Sequence, residues 1–265
     1  MKFTLSIAAV ALASIVSTAF AAPDSAHFTY GTDDAGPQHW GDLSPLWAKC
    51  KTGQQQSPID VKAEKPSVKF VKDPIKYKYA PVTNAVIGYN GHAVQVDWTQ
   101  PANEAAASWI EVAGKKYKLV QFHFHTPSEH RVSNRFSEGE LHLVHRADDG
   151  TLAVVGLFLE LRITNNNWFN WITDLDRKID RLAPGSDTTK TKLPIKKLDL
   201  PALAKAAKGF ANRWTYAGSL TTPPCTEGVA WNVVKAPISF GLKQFNALVD
   251  LEGFNSRYIM DRPGK

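Results

Sequence analysis

Between residues 66 and 159 the chain is a succession of short runs, each five to seven residues long and either alternating or β-branched: V-K-F-V-K, I-K-Y-K-Y, A-V-I-G-Y, A-V-Q-V-D-W, S-W-I-E-V, K-Y-K-L-V, Q-F-H-F-H, E-L-H-L-V-H and A-V-V-G-L-F-L. Turn residues such as Asn90-Gly91 and Ala113-Gly114 separate these runs, so they read as strands. The last run has almost no polar alternation, which suits a central strand covered on both faces. V-A-W-N-V-V at 229–234 returns to strand, while 167–179, 200–207 and 240–249 read as short helices. Residues 22–56 are loop-like, and 54–60 lead into the first ordered strand. The expectation is a mainly β fold: a single domain with a large central, twisted, mostly antiparallel sheet and short peripheral helices.

Residues 1–21 carry one lysine, an apolar run and small residues at Ala19 and Ala21, the pattern of a secretory signal peptide cut after Ala21 or Ala22. A membrane helix is the alternative, but the run is short and no basic cluster follows it. The rest, 22–265, is long enough for one sizeable core and shows no repeat or linker, so it is expected to be one domain without membrane insertion after processing. Without Lys2 the charge balance is 30 Lys and Arg against 25 Asp and Glu, or +5. The lysines are scattered and lack an aromatic or motif context, so a solvated face is expected and nucleic acid is not. In an exported chain Cys50 and Cys225 would pair as one disulfide; two free thiols are the alternative.

Two histidines one residue apart are unusual in an apolar strand. Parity puts His123 and His125 on one face with Gln121, and Phe122 and Phe124 on the other. In 140–145 the same rule groups Glu140, His142 and Val144 against Leu141, Leu143 and His145. If the two strands are neighbours, three imidazoles converge, and three neutral imidazoles with a fourth position open describe a catalytic zinc site. An H-x-H pair alone is more often two satisfied or surface histidines. Gln121 and Glu140 each lie two residues before a candidate ligand on its own face, within reach of its other ring nitrogen, although both could be ordinary cavity or surface groups. His130 and His145 read as buried structural histidines, and His27 and His39 carry no signal.

These residues resemble the α-class carbonic anhydrases of the exported bacterial type. G-P-Q-H-W at 36–40, Q-Q-S-P-I-D at 55–60, N-G-H-A at 90–93, Q-F-H-F-H, S-E-H at 128–130, E-L-H-L-V-H, A-V-V-G-L-F-L and W-T-Y-A-G-S-L-T-T-P-P-C at 214–225 recur in family order across nearly the whole chain. The resemblance implies reversible hydration of carbon dioxide to bicarbonate and a proton, by attack of a hydroxide on Zn(2+) held by His123, His125 and His142. It implies that Thr221 and Glu129 orient that hydroxide and that His92 is the proton shuttle. Carbon dioxide would sit against Val144, Val154, Leu220 and Trp231, with Thr221 and Thr222 beside it. A neutral molecule without hydrogen-bond donors requires such an apolar niche.

The resemblance further implies polar roles for Asn90 and Gln95 near the shuttle, Tyr30 at the cavity mouth, a Cys50–Cys225 disulfide, and Asn255 behind a zinc ligand. The chain departs from the family after Asn255-x-Arg257, where the usual proline and glutamine are missing. Exported relatives are often dimers, so a homodimer is an expectation without an identified interface. A non-catalytic binding module of this type would typically have lost a zinc histidine, and all three are present. A zinc esterase using the same hydroxide is the remaining enzymatic alternative.

Overall fold

The computed structural model describes residues 26–62, 67–99, 101, 103, 106–162, 175–182 and 191–260. The signal-peptide reading of 1–21 lies outside these residues. Eleven strands form one sheet: β1 (Lys69–Val71), β2 (Lys76–Lys78), β3 (Ala85–Tyr89), β4 (Val94–Trp98), β5 (Trp109–Val112), β6 (Lys115–His125), β7 (Gly139–Arg146), β8 (Leu152–Arg162), β9 (Lys192–Pro194), β10 (Arg213–Ser219) and β11 (Glu227–Gly241). The order across the sheet is β1-β10-β11-β8-β7-β6-β4-β3-β9, with β5 pairing β6 and β2 pairing β5. Only β11 and β8 run parallel; every other named pair is antiparallel.

Local chemistry accounts for the hairpins. Ala113 and Gly114 both take positive φ (50° and 79°) and join β5 to β6 through a two-residue turn, where glycine relieves the steric cost. At the β6/β7 pairing the register slips at Val120: Leu119 faces His145 and Gln121 faces Val144. This bulge reverses the parity of β6, so Tyr117 and Leu119 before it and Phe122 and Phe124 after it all enter the same core.

The sheet is covered on both faces. One core joins Leu119, Phe122, Phe124, Leu141, Leu143 and Leu157 to the helices α4 (Leu200–Ala206) and α5 (Leu242–Glu252) through Leu203, Leu248 and Leu251. The opposite face carries a smaller cluster of Val144, Val154, Phe158, Tyr216, Val229 and Trp231. Alternate residues of β8 supply both, which explains its unbroken apolar run. A third cluster holds Trp40 and Trp47 beside the Cys50–Cys225 disulfide, with Phe28 and Tyr30 packed against it. In the chain-entropy model, closing a 175-residue separation removes about 5 kcal/mol of unfolded-state freedom.

Several expectations need correction. The stretch expected to be loop contains α1 (Trp40–Leu43), a 3-10 turn (Pro45–Trp47) and α2 (Lys49–Thr52), short elements without a periodic apolar face long enough to read. Residues 54–60 do not enter a strand; only Asp60 makes an isolated bridge, to Arg131. K-Y-K-L-V and Q-F-H-F-H are one strand rather than two, and the run at 229–234 is the middle of a strand reaching Gly241, so α5 begins at Leu242. Strands β9 and β10 have no counterpart in the sequence reading, because Pro194 interrupts the first and Gly218 the second. Of the helix expected over 167–179, only α3 (Leu175–Asp180) lies among the described residues.

His145 faces the larger core, as parity requires. It is fully buried, its Nε2 lies 2.7 Å from the Tyr79 hydroxyl, and burial lowers its pKa to about 3. Its ordinary value in the unfolded chain is near 6.5, so between about pH 3 and 6.5 the unfolded chain binds more protons. Stability is therefore lost as pH falls through that window. We expect H145L to lose about 1.4 kcal/mol per pH unit of this acid slope, measured by urea unfolding between pH 4 and 6.5.

Candidate metal centre

The β6/β7 register sets His123 directly opposite His142, and His125 opposite Glu140. The His125 and His142 ring centroids are 4.6 Å apart; His123 lies 5.1 Å from the first and 5.2 Å from the second. One nitrogen from each ring falls within 4.8 Å of the others.

The hydrogen-bond partners determine which nitrogens remain. His125 Nδ1 donates to the Asn255 carbonyl at 2.8 Å, since a carbonyl can only accept, and His123 Nδ1 donates to Gln121 Oε1 at 2.9 Å. His142 Nε2 donates to Glu140 Oε1 at 3.0 Å. The lone pairs left over are those of His123 Nε2, His125 Nε2 and His142 Nδ1, and His125 Nε2 is buried with no hydrogen-bond partner. Burial, reinforced by the neighbouring imidazoles, pushes His123 well below its ordinary pKa; burial also lowers His125, although Glu129 opposes it. Three imidazoles that each keep one lone pair turned toward the others fit a divalent zinc ion.

Glu140 orders the next layer. Burial opposes its ionisation, yet His130 and His142 hold its carboxyl well below the usual range. Its Oε2 accepts from the backbone amides of Glu129 (3.0 Å) and His130 (2.8 Å), and its Oε1 accepts from His130 Nδ1 at 2.7 Å as well as from His142. His130 Nε2 then accepts from the Tyr216 hydroxyl at 2.6 Å, and Tyr216 accepts from Ser57 at 2.9 Å. Since Glu140 occupies nitrogens of both His130 and His142, this trio is a hydrogen-bond network rather than a second metal site.

A cavity of about 60 Å³ adjoins the cluster. It is lined by Gln121, His123 and His142, by the apolar Val144, Val154, Leu220 and Trp231, and by Thr221 and Thr222. A larger cavity of about 270 Å³ between Phe158, Trp214, Lys62 and Lys235 contains no converging ligand set. The Thr221 loop joins β10 to β11 and is tied down by Leu220 N to Thr226 O (2.9 Å), Cys225 N to Thr222 O (2.9 Å) and the disulfide at Cys225.

Glu129 is fully buried. Its Oε1 accepts from the Arg257 amide at 2.9 Å, while its Oε2 has no hydrogen-bond partner and lies 3.5 Å from His125 Nε2. No hydrogen bond joins Thr221 to Glu129 in this arrangement, although the family resemblance has the two acting together on the hydroxide. His92 does not line the cavity: its ring stacks on Phe28 at 3.7 Å and 12°, with His27 at 5.9 Å. Burial, and then His27, lower its pKa to about 4. Asn90 Oδ1 accepts from the amides of His92 (2.9 Å) and Ala93 (2.8 Å), and its Nδ2 donates to Gln95, which sits opposite His123. Tyr30 packs against Trp40 at 5.5 Å and edge-on to His92 at 6.4 Å.

Some contributors were not singled out from sequence. Arg257, fully buried, reaches Gln56, the Ser57 carbonyl and the Cys50 carbonyl, tying the disulfide region to the chain segment behind Glu129. His130, read as a buried structural histidine, is one, and its hydrogen bond to Glu140 is the support it gives. Gly156, paired with His142, is required because a Cβ there would lie 2.7 Å from Glu140 Oε1; its place inside an apolar strand was the only available signal.

Comparison with known proteins adds the following. The family model described as eukaryotic-type carbonic anhydrase matches residues 35–261. A carbonic anhydrase of Nostoc sp. is 37% identical over 228 residues, spanning 84% of this chain and 79% of its own. The α-carbonic anhydrase of Thermovibrio ammonificans, solved in complex with the inhibitor sulfanilamide, superposes with a TM-score of 0.71 at 32% identity over 90% of this chain and 97% of its own. A fungal α-carbonic anhydrase from Aspergillus oryzae gives a TM-score of 0.76 at 29% identity, covering 88% and 93%.

The crowding at Gly156 yields a test. G156A should push Glu140 away from His142 and weaken zinc binding roughly 10–100-fold, the range for losing an outer partner of a ligating histidine. Competition with a chromogenic chelator measures this directly.

Proposed function

Because the chain belongs to the eukaryotic-type, or α, carbonic anhydrase family, we propose that it is an exported, zinc-dependent enzyme for the reversible hydration of carbon dioxide to bicarbonate and a proton. The supporting observation is the convergence of three imidazole lone pairs beside a half-apolar cavity of about 60 Å³. His123 Nε2, His125 Nε2 and His142 Nδ1 would hold the ion. When bound, zinc brings the pKa of a coordinated water down to about 7, a figure for which carbonic anhydrase is the standard example.

The remaining roles belong to the chain. Val144, Val154, Leu220 and Trp231 offer carbon dioxide a surface with which it need exchange no hydrogen bonds, and they exclude competing solvent. In the working site Glu129 Oε2, buried and unpartnered, accepts the single hydroxyl proton of Thr221; Thr221 can then present only a lone pair to the attacking nucleophile, which fixes its direction. Thr222 closes the polar side of the cavity.

His92 carries the released proton to buffer. Stacked on Phe28, with a pKa of about 4, it gives up a proton readily and takes one poorly. Leaving that stack relieves the burial and returns the ring toward its ordinary pKa near 6.5, where it can accept. The shuttle therefore needs two ring positions, one for loading and one for release.

The Cys50–Cys225 disulfide supports an oxidising compartment, and no helix among the described residues is long and apolar enough to cross a membrane. Export through a signal peptide over 1–21 and assembly as a homodimer complete the reading; N-terminal sequencing and light scattering of the mature protein test these two points.

Stopped-flow carbon dioxide hydration should fall to background after chelation and return with zinc, and H142A should retain no zinc. Activity indifferent to metal would overturn the proposal. H92A should slow turnover in weak buffer with little change in kcat/KM, and added imidazole should restore it; failure of that rescue would remove His92 from the role.

A further inference from the structure

The turn carrying His92, residues 90–93 between β3 and β4, is held from below by the end of α5. The β4/β6 pairing covers only Gln95 to Asp97, so β6 does not reach Val94. The Val94 amide donates instead to Glu252 Oε1, on the last turn of α5. Three residues later, Asn255 Nδ2 donates to the His92 carbonyl at 3.0 Å and to the Phe124 carbonyl at 3.2 Å. The Asn255 side-chain oxygen accepts from the Thr126 amide at 2.7 Å, and its backbone carbonyl accepts from His125 Nδ1. One short segment, 252–255, thus grips both the turn that bears His92 and the strand end that bears His125.

We propose that Glu252 is a positioning residue for proton transfer: by anchoring the Val94 amide it fixes the base of the His92 turn at a set distance from the metal-ligating strand. The proposal rests on the shuttle reading of His92. An acid at this position is unusual, because Glu252 is 8% exposed and has no cationic partner among its contacts. Burial pushes its carboxyl well above the usual range, against the pull of the Val94 amide and Asn255, so it serves as a neutral acceptor without a buried charge. Tyr30 from the N-terminal segment and Tyr89 from β3 are the titratable groups coupled to it, and both are themselves held neutral, with raised pKa values. A glutamine side chain presents the same carbonyl oxygen, whereas leucine fills similar space and accepts nothing.

Three readouts test the assignment. In wild-type protein a scalar coupling from the Val94 nitrogen to the Glu252 carboxyl carbon should be detectable by NMR; its absence would overturn the clamp without any variant. In E252L the Val94 amide should exchange with deuterium about tenfold faster than in wild type, with E252Q close to wild type. Turnover of E252L in weak buffer should fall about tenfold, the scale of a small misplacement of a reacting group. Its kcat/KM should be retained and imidazole should restore the rate, whereas E252Q should behave as wild type. Equal Val94 exchange in all three proteins, or kcat and kcat/KM falling together without imidazole rescue, would refute the positioning role. If H92A keeps full turnover in weak buffer, the shuttle reading fails, while the Val94 measurements still decide the clamp. If H92A slows and E252L does not, the Glu252 assignment alone is wrong.

Discussion

A carboxylate with no access to water, Glu140, accepts four hydrogen bonds, and the site is organised around it. An ionised group cannot be buried without such compensation, so the backbone at Glu129 and His130 and the rings of His130 and His142 have one mutually compatible arrangement. That arrangement commits His142 to presenting Nδ1, whereas His123 and His125 present Nε2. The bond from its backbone amide places Glu129 beside the histidine cluster. Gly156 leaves the carboxylate its space, and the Trp231 ring lies 4.6 Å from the His130 ring and 4.9 Å from the His142 ring, the two imidazoles hydrogen-bonded to Glu140.

The sheet does the larger work of separating two chemistries. One face is packed with leucine, phenylalanine and the helices α4 and α5; the other holds the histidine cluster and a small apolar niche. Because strand side chains alternate, β6 and β7 can contribute to both at once. The chain closes over this sheet through its C-terminal segment, where Asn255 fixes His125 and Arg257 fixes Glu129. A buried guanidinium spanning Cys50, Gln56 and Ser57 then joins the disulfide region to the site floor.

Much of the site was legible in single residues. Parity alone paired His123 with His125, grouped His142 with Glu140 and Val144, and turned His145 toward the core. Family order added Glu129, and also Thr221 with the rest of the cavity wall, which line one small space. The N-terminal helices were not legible, because single turns show no helical repeat, and neither was β9, because Pro194 breaks its short alternation. Nor was the state of His92: its stacking on Phe28 joins segments 64 residues apart in the chain, and its depressed basicity follows from that contact.

The sequence by itself determined which residues share a face, since alternation is a property of the strand backbone, and it carried enough ordered motifs to identify the family. Tertiary structure decided what those faces meet. The bulge at Val120 lets Leu119 and Phe122 enter one core while His123 meets His142, and no local pattern encodes that slip of register. The hydrogen-bond partner of each clustered histidine, the seat of Glu140 against Gly156, and the grip of α5 on the His92 turn join different segments of the chain. They depend on which buried polar groups must satisfy one another once water has been excluded.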